Sequence, residues 1–421
     1  MFSTNLVTIS VIFTPIVTQL AAQTCQLDLL VRPETIPLVI KINNNSYYYP
    51  VPTAYDDRLL DFLYEEDAIF ACPGGHFNQP GFNPDGQHGW CKGGGGFMCD
   101  WLLTFYHTMN CTMIDIMRPF LSESYDNSGT SCQNSDRNIQ VGYQIDDVLV
   151  PVYDICFNGE TLMATYTRHV LTRFAPLASV MRPPPSHYFF LVSLYQTDVE
   201  AIYDNFVTYF SELGVQDYVN DTYFLTPGHL VPYEDFLSPF QKDAAYHFAN
   251  VAPQWNTFDE GNWKVLETGI LTFIANSTTF EGVLIVGDAT VLTGTLKVAT
   301  LAGSTGTTTE LYLTQGRFPV PRWFWKIIYF AAVNTGVIFF GYNNPFATKG
   351  DVDAEFVAEV CSVDVFELVR DEWYLDDVDN GSPGLGLMYA CRLHLDQILD
   401  PVVNGVVDNL LPEGVTKAEL L

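Results

Sequence analysis

The residues best suited to chemistry in this chain fall between Tyr223 and Glu267. A lone histidine, His229, follows a Pro-Gly turn, and Asn250, Gln254, Asp259 and Glu267 come after it in that order. A histidine on a strand or turn edge can take a proton from water near neutral pH, because its unperturbed pKa is about 6.5. A carboxylate at a helix N-terminus can hold a hard cation such as Mg2+. Glu267 lies eight residues beyond Asp259, which turns it about 80° round a helix, so both can border one cleft. Each residue alone also has a structural reading, with Asp259 as a helix N-cap and the two amides as cap and loop residues.

The elements that must position these groups are read from periodicity. Short apolar runs broken by Gly, Asn, Pro and Asp fill residues 23 to 159, for example Leu38 to Ile42, Tyr47 to Val51 and Val148 to Tyr153. They read as strands joined by turns, with a helix at Trp101 to Asn110. Further on, Thr197 and Glu200 form a Thr-x-x-Glu capping box. Val199, Ile202, Tyr203, Phe206, Tyr209, Phe210 and Leu213 then recur at helical spacing before Gly214. That aromatic stripe is core. Tyr233 to Asn250 and Glu260 to Ser277 are expected to be helices. Gly282 to Gly287, Thr290 to Leu301, Thr309 to Leu313, Trp325 to Phe330 and Gly336 to Tyr342 are expected to be strands. The pattern implies an α+β fold, an antiparallel sheet flanked by helices, preceded by a small disulfide-rich mostly-β domain. The expected bounds are 23–159 for the first domain, 160–350 for the second, and 351–421 for an acidic segment packed on the second.

Charge and cysteines bound the function classes. The chain has 421 residues, 49 Asp plus Glu against 19 Lys plus Arg, and a net charge of −30, with 48% hydrophobic residues. It can bury a large core, and it cannot coat a polyanion, since its net charge repels phosphate beyond a Debye length of about 8 to 10 Å. Residues 351 to 421 alone carry 16 acidic against three basic residues, read as a solvated acidic surface. Residues 1 to 27 hold no charged side chain, and the apolar run before Ala21 and Ala22 reads as a secretory signal, residues 1–22, with no membrane association after its cleavage. Seven of nine cysteines lie between Cys25 and Cys156 and the last two are Cys361 and Cys391. Disulfides are expected, including a bridge within the C-terminal segment, with at least one thiol left over. A zinc site from His88, Cys91, Cys99, His107 and Cys111 has no standard spacing. Gly93 to Gly96 lacks the Lys-Ser/Thr of a phosphate loop and reads as a loop between two bridged cysteines. Asn44, Asn110, Asn220, Asn276 and Asn380 each begin a glycosylation sequon.

Taken together, the stretch from Tyr223 to Glu267 resembles the DNA/RNA non-specific endonuclease family, with its ββα-metal (His-Me finger) site, and in particular the secreted arthropod double-strand nucleases. Thr226, Pro227, Gly228 and His229 align with the family's Asp-Arg-Gly-His motif, and Asn250, Pro253 and Gln254 with its Asn-x-x-Pro-Gln segment. Asp259, Gly261, Trp263 and Glu267 match Asn-x-Gly-x-Trp-x-x-x-Glu. Phe318 to Tyr329 resembles the family's Pro-x-x-x-Trp-Lys strand, Asn343-Asn344-Pro345 a later turn, and Met181-Arg182-Pro183 an Arg-Pro element. The likeness spans roughly residues 160 to 400.

The resemblance implies Mg2+-dependent (or Mn2+-dependent) hydrolysis of DNA, RNA or both, leaving 5′-phosphorylated products. His229 would be the general base, Asp259 the metal ligand, Arg182 the group facing the phosphoryl oxygens, and Glu267 the group orienting water. Asn250 and Gln254 would brace the site. The sequence departs from the family at Pro227, which offers neither the expected cation nor an N–H, at Thr226 for Asp, and at Asp259 for Asn. An added anion at 259 is expected to raise the His229 pKa and give a slow or alkaline-shifted enzyme. The alternatives are an inactive secreted glycoprotein of the same fold, which Pro227 favours, and a phosphodiesterase for small nucleotides.

Overall fold

The computed structural model describes residues 24–28, 36–44, 46–53, 59–100, 102–113, 120–124, 132, 137–180, 195, 198–276, 279–280, 283–284, 287–303, 306–393 and 397–410. The expected signal segment 1–22, Arg182 and Thr197 lie outside them.

Short two-period runs build a first, six-stranded antiparallel sheet. Its strands are β1 (Leu38–Asn43), β2 (Ser46–Tyr48), β3 (Asp67–Ala71), β4 (Gln87–Cys91), β5 (Gly96–Cys99) and β6 (Leu102–Phe105), in the order β2-β1-β3-β4-β5-β6. The helix expected at Trp101 to Asn110 is strand β6 followed by a single 3-10 turn, Tyr106–Thr108. The apolar run pairs with β5, and pairing overrides local propensity. Disulfides join Cys25 to Cys91 and Cys72 to Cys111 here, and Cys99 is the buried free thiol. Cys91 and Cys111 are thereby removed from any zinc set. Gly93, Gly94 and Gly95 take positive φ (87°, 61°, 79°) in the turn between β4 and β5, so this loop lies between one bridged and one free cysteine rather than two bridged ones.

The second sheet starts earlier than expected. Strands β7 (Phe120–Ser124), β8 (Arg137–Ile145), β9 (Val148–Asn158) and β10 (Met163–Leu171) already belong to it, and residues 159 and 160, expected as a domain boundary, lie in the turn between the paired strands β9 and β10. A separate hairpin follows, β11 (Leu225–His229) with β12 (Val251–Trp255). The sheet then continues with β13 (Ala289–Val298), β14 (Pro321–Phe330), β15 (Thr335–Tyr342) and β16 (Leu387–Arg392), giving β7-β8-β9-β10-β13-β14-β15-β16, antiparallel throughout. The acidic C-terminal segment therefore supplies an edge strand, and it holds the expected bridge, Cys361–Cys391. A fourth disulfide joins Cys132 to Cys156.

Strands β14 and β15 are buried on both faces. Because side chains alternate, Trp323, Trp325, Ile327 and Tyr329 enter one core with Phe356 and Val406. Phe324, Ile328 and Phe330 enter the other, against α1 (Val199–Glu212) and α3 (Lys264–Asn276). Each fully buried large apolar side chain contributes about 1.5–3 kcal/mol of transfer free energy. Lys326 has the parity of Phe324 and Ile328, so it projects from the sheet toward α3. The N-cap of α1 is Asp198, whose carboxylate accepts from Ala201 N, in place of the expected Thr197. Tyr233 to Asn250, expected as one helix, is a 3-10 turn (Tyr233–Asp235), the short helix α2 (Pro239–Ala244) and a second 3-10 turn (Phe248–Asn250). Pro239 at the start and the Ser238–Gln241 capping box restart the chain there. Among the described residues no helix is long and apolar enough to cross a membrane.

Candidate active site

The hairpin β11–β12 sets the histidine. Its register places Thr226 opposite Gln254, Pro227 opposite Pro253, Gly228 opposite Ala252 and His229 opposite Val251. An antiparallel ladder alternates pairs that exchange N–H···O bonds with pairs that do not, so two facing prolines fit only the second kind. Gly228 is required by packing: a Cβ there would lie 1.8 Å from Gln254 Oε1. Asn250 closes the hairpin behind His229. Its side-chain N–H groups donate to the carbonyls of Val231 and Ala245, both at 2.9 Å, and its Oδ1 accepts from Val231 N at 3.0 Å. Asn343, from the Asn-Asn-Pro turn, docks the hairpin on the sheet. It donates to Pro253 O and Pro321 O and accepts from Trp255 N.

After β12 the chain enters a helical turn, passes a π-turn (Asp259–Trp263) and resumes as α3. Gly261 breaks the helix with φ −95° and ψ −129°, and a Cβ there would lie 2.8 Å from Leu385 O. Asn262, fully buried, binds the backbone of Asp379 and Gly386 and ties this turn to the C-terminal segment. Asp259 Oδ2 accepts from the Thr226 hydroxyl at 3.2 Å, so the metal-ligand candidate leans on the histidine strand. Glu267, one turn into α3, meets Lys326 Nζ at 3.3 Å. Lys326 is also 5.5 Å from the centre of the Trp263 ring.

Electrostatics link these groups through one ion pair. Lys264, the first residue of α3, donates to Glu234 Oε1 at 2.9 Å. Both charges act on His229, on Asp259 and on Glu267. Burial lowers the His229 pKa to about 4, with Glu234 opposing and Lys264 reinforcing. The ring is therefore neutral at pH 7. This overturns the rise expected from Asp259, because desolvation of the imidazolium, with Lys264 beside it, outweighs the one carboxylate that acts on the ring, Glu234. The Tyr246 ring meets His229 edge to face at 5.0 Å. Burial, with Glu260, pushes Asp259 up to about 6 against the Thr226 hydrogen bond. Burial pushes Glu267 up to about 7 in spite of Lys326. Behind the ion pair, His169 of β10 projects from the sheet and contacts Asp235 Oδ2 at 2.7 Å, both side chains buried. This pins the 3-10 turn that carries Glu234.

Of the residues expected to carry chemistry, His229, Asp259, Glu267, Asn250 and Gln254 gather on the hairpin and the helix after it, and Arg182 lies outside the described residues. Lys264, Glu234, Lys326, Asp235 and His169 belong to the same surroundings and had no signal of their own. Glu234, Asp235, Lys264 and Lys326 stood in recognised segments without being singled out, and His169 stood in none.

Among the described residues no group of three or more His, Cys, Asp or Glu side chains converges as a metal cage. The donors present fit a hydrated hard cation. Asp259 offers a carboxylate whose proton is retained up to about pH 6 by burial. Gln254, cross-strand neighbour of Thr226, is fully buried, and its amide has no hydrogen-bond partner among the described residues. Mg2+ takes one or two carboxylates and keeps several waters, and such waters would satisfy the Gln254 amide.

The family model described as DNA/RNA non-specific endonuclease matches residues 134–380. Salivary protein Tsal1 of Glossina morsitans morsitans is 26% identical over 227 residues, 51% of this chain and 53% of that protein. A salivary endonuclease of Lutzomyia longipalpis is 26% identical over 267 residues, 62% of this chain and 60% of that protein. The matches thus span only a little over half of these curated relatives. The crystal structure of an EndoG/EndoGI complex overlays with a TM-score of 0.32 at 15% identity, covering 46% of this chain and 71% of that one, a likeness that carries no weight for the site.

Proposed function

The chain belongs to the DNA/RNA non-specific endonuclease family, and from that premise we propose that it is a secreted, Mg2+-dependent endonuclease that hydrolyses DNA, RNA or both, with His229 as general base. The observation that carries the reading is the half-buried, neutral His229 at the end of a β-ribbon whose partner strand runs into the helical segment bearing Asp259 and Glu267. In this reading His229 takes a proton from water while the water oxygen bonds to phosphorus. The bond from phosphorus to the 3′ oxygen breaks and that oxygen takes a proton from solvent water, leaving a 5′-phosphate and a 3′-hydroxyl. Bound Mg2+, held by Asp259 and waters, would offset the charge that builds on the phosphoryl and leaving oxygens. Arg182 would face the phosphoryl oxygens, and Glu267, held by Lys326, would orient a water. Asn250 fixes the backbone behind His229, and Gln254 fills the far side of Gly228.

Four disulfides and relatives named as salivary proteins support export. Pro227, which carries no charge, favours a second reading, a protein of this fold that binds nucleic acid without cutting it. Incubation with plasmid and with double-stranded RNA, in Mg2+ or EDTA, decides between them when His229→Ala is run alongside. Digestion by wild type in Mg2+ alone, and none by the variant, is expected. Equal digestion by His229→Ala, or none by wild type at any pH, overturns the mechanism. Steep loss of rate with salt marks a polymer substrate, while a small nucleotide is far less sensitive.

A further inference from the structure

A phosphodiester needs a cation at the site, and Pro227 supplies none. Three lysines surround the hairpin and α3. Lys326 is sealed beneath Glu267, its side chain 2% exposed. Lys242 is buried, 5.8 Å from the centre of the Tyr233 ring. Lys264 is different, with 44% of its side chain exposed. Its position is also unfavourable for the helix it begins, because the N-terminal end of an α-helix disfavours a cation. What offsets that cost is Glu234, five residues after His229, whose carboxylate sits on the ammonium at 2.9 Å. A carboxylate oxygen and a non-bridging phosphate oxygen make the same demand on an ammonium. Lysine has three donors, so the Glu234 contact leaves others for a second anion.

We propose that Lys264 binds a non-bridging oxygen of the substrate phosphodiester, taking the place of the cation missing at Pro227, and that Glu234 holds its ammonium beside His229 and weakens binding by repelling the same phosphate. The proposal rests on the nuclease reading and deepens it. In that arrangement the two members of one ion pair act in opposite directions on substrate affinity. A purely structural ion pair would make both truncations act alike.

The test uses the full chain with Mg2+. Lys264→Gln, Lys264→Arg and Glu234→Gln are compared for kcat and KM on a defined duplex, and, each in a His229→Ala background, for binding to a labelled duplex across a salt series. Lys264→Gln is expected to raise KM and Kd about tenfold and to reduce the slope of log Kd against log salt by about 0.9, the value for one lost phosphate contact. Lys264→Arg should keep most of the affinity, and Glu234→Gln should lower KM and Kd. Melting temperatures of the variants separate misfolding from lost contact, and Lys264→Arg carries the test if Lys264→Gln unfolds. An unchanged salt slope in Lys264→Gln, or a rise in KM in both Lys264→Gln and Glu234→Gln, overturns the proposal while cleavage by wild type keeps the nuclease reading. No cleavage by wild type, with duplex binding that still depends on Lys264, overturns the nuclease reading and keeps the phosphate contact. No duplex binding by His229→Ala overturns the phosphate contact.

Discussion

His229 is held unprotonated because its surroundings are poor in water, and the same poverty holds protons on Asp259 and Glu267. The sign of the consequence for stability follows from the two carboxyls. Their folded pKa values, about 6 and about 7, lie above the ordinary carboxyl values of 3.8 and 4.5. The stability they contribute is complete below about pH 4 and is lost as pH rises through 6 and 7. In EDTA, thermal melts are therefore expected to show Asp259→Asn losing less stability than wild type between pH 4.5 and 7.5. The difference should reach up to ~3 kcal/mol for a shift of about two pKa units. Mg2+ should restore wild type at pH 7.5 and stabilise Asp259→Ala, which has no oxygen donor, far less. Equal pH dependence in wild type and Asp259→Asn would contradict the assignment of Asp259 to the buried cation site.

The element that matters most is the hairpin with its two sheet anchors. Asn250→Ala strands three buried backbone groups and is expected to cost ~3 kcal/mol, read as a lower denaturation midpoint with an unchanged m-value. His169→Leu leaves Asp235 buried without its partner and should cost ~3–5 kcal/mol, whereas His169→Leu with Asp235→Leu should recover much of that. The double variant separates a burial cost from a catalytic one, since its cleavage should stay low if Glu234 loses its place. The motif residues were legible in the sequence because each run is local: Pro-Gly-His, Asn-x-x-Pro-Gln and Gly-x-Trp. The kink at Gly261 was not, since Glu260 to Ser277 read as one helix, and Pro227 and Gly228, read as a turn, lie within strand β11. The ion pairs were not legible either. His169 and Asp235 are 66 residues apart and Lys264 and Glu234 are 30 apart, and no spacing rule joins residues brought together by sheet order. For the same reason Trp101 to Asn110 read as a helix, and residue 159 read as a domain end. Pairing partners decided both.

On the scale of the whole molecule, a net charge of −30 coexists with a site whose one accessible lysine, among the three around it, is already matched to a carboxylate. Such a protein should hold nucleic acid weakly and release it readily, and its cleavage should fall steeply as salt rises. Its sequons are unequal. Asn44 and Asn220 are exposed, whereas Asn380 spends its amide on the Met388 backbone, donating to the carbonyl and accepting from the N–H, both at 2.8 Å. Peptide mapping of protein made through the secretory route is expected to find glycans at Asn44 and Asn220 and none at Asn380. The central claim, that a neutral His229 removes the proton from the attacking water, is tested most directly by chemical rescue. His229→Gly in Mg2+ should cut duplex DNA or RNA at least about 100-fold more slowly than wild type. Added imidazole should restore part of the rate in proportion to its unprotonated fraction. A His229→Gly protein that cuts at the wild-type rate without imidazole would contradict the claim.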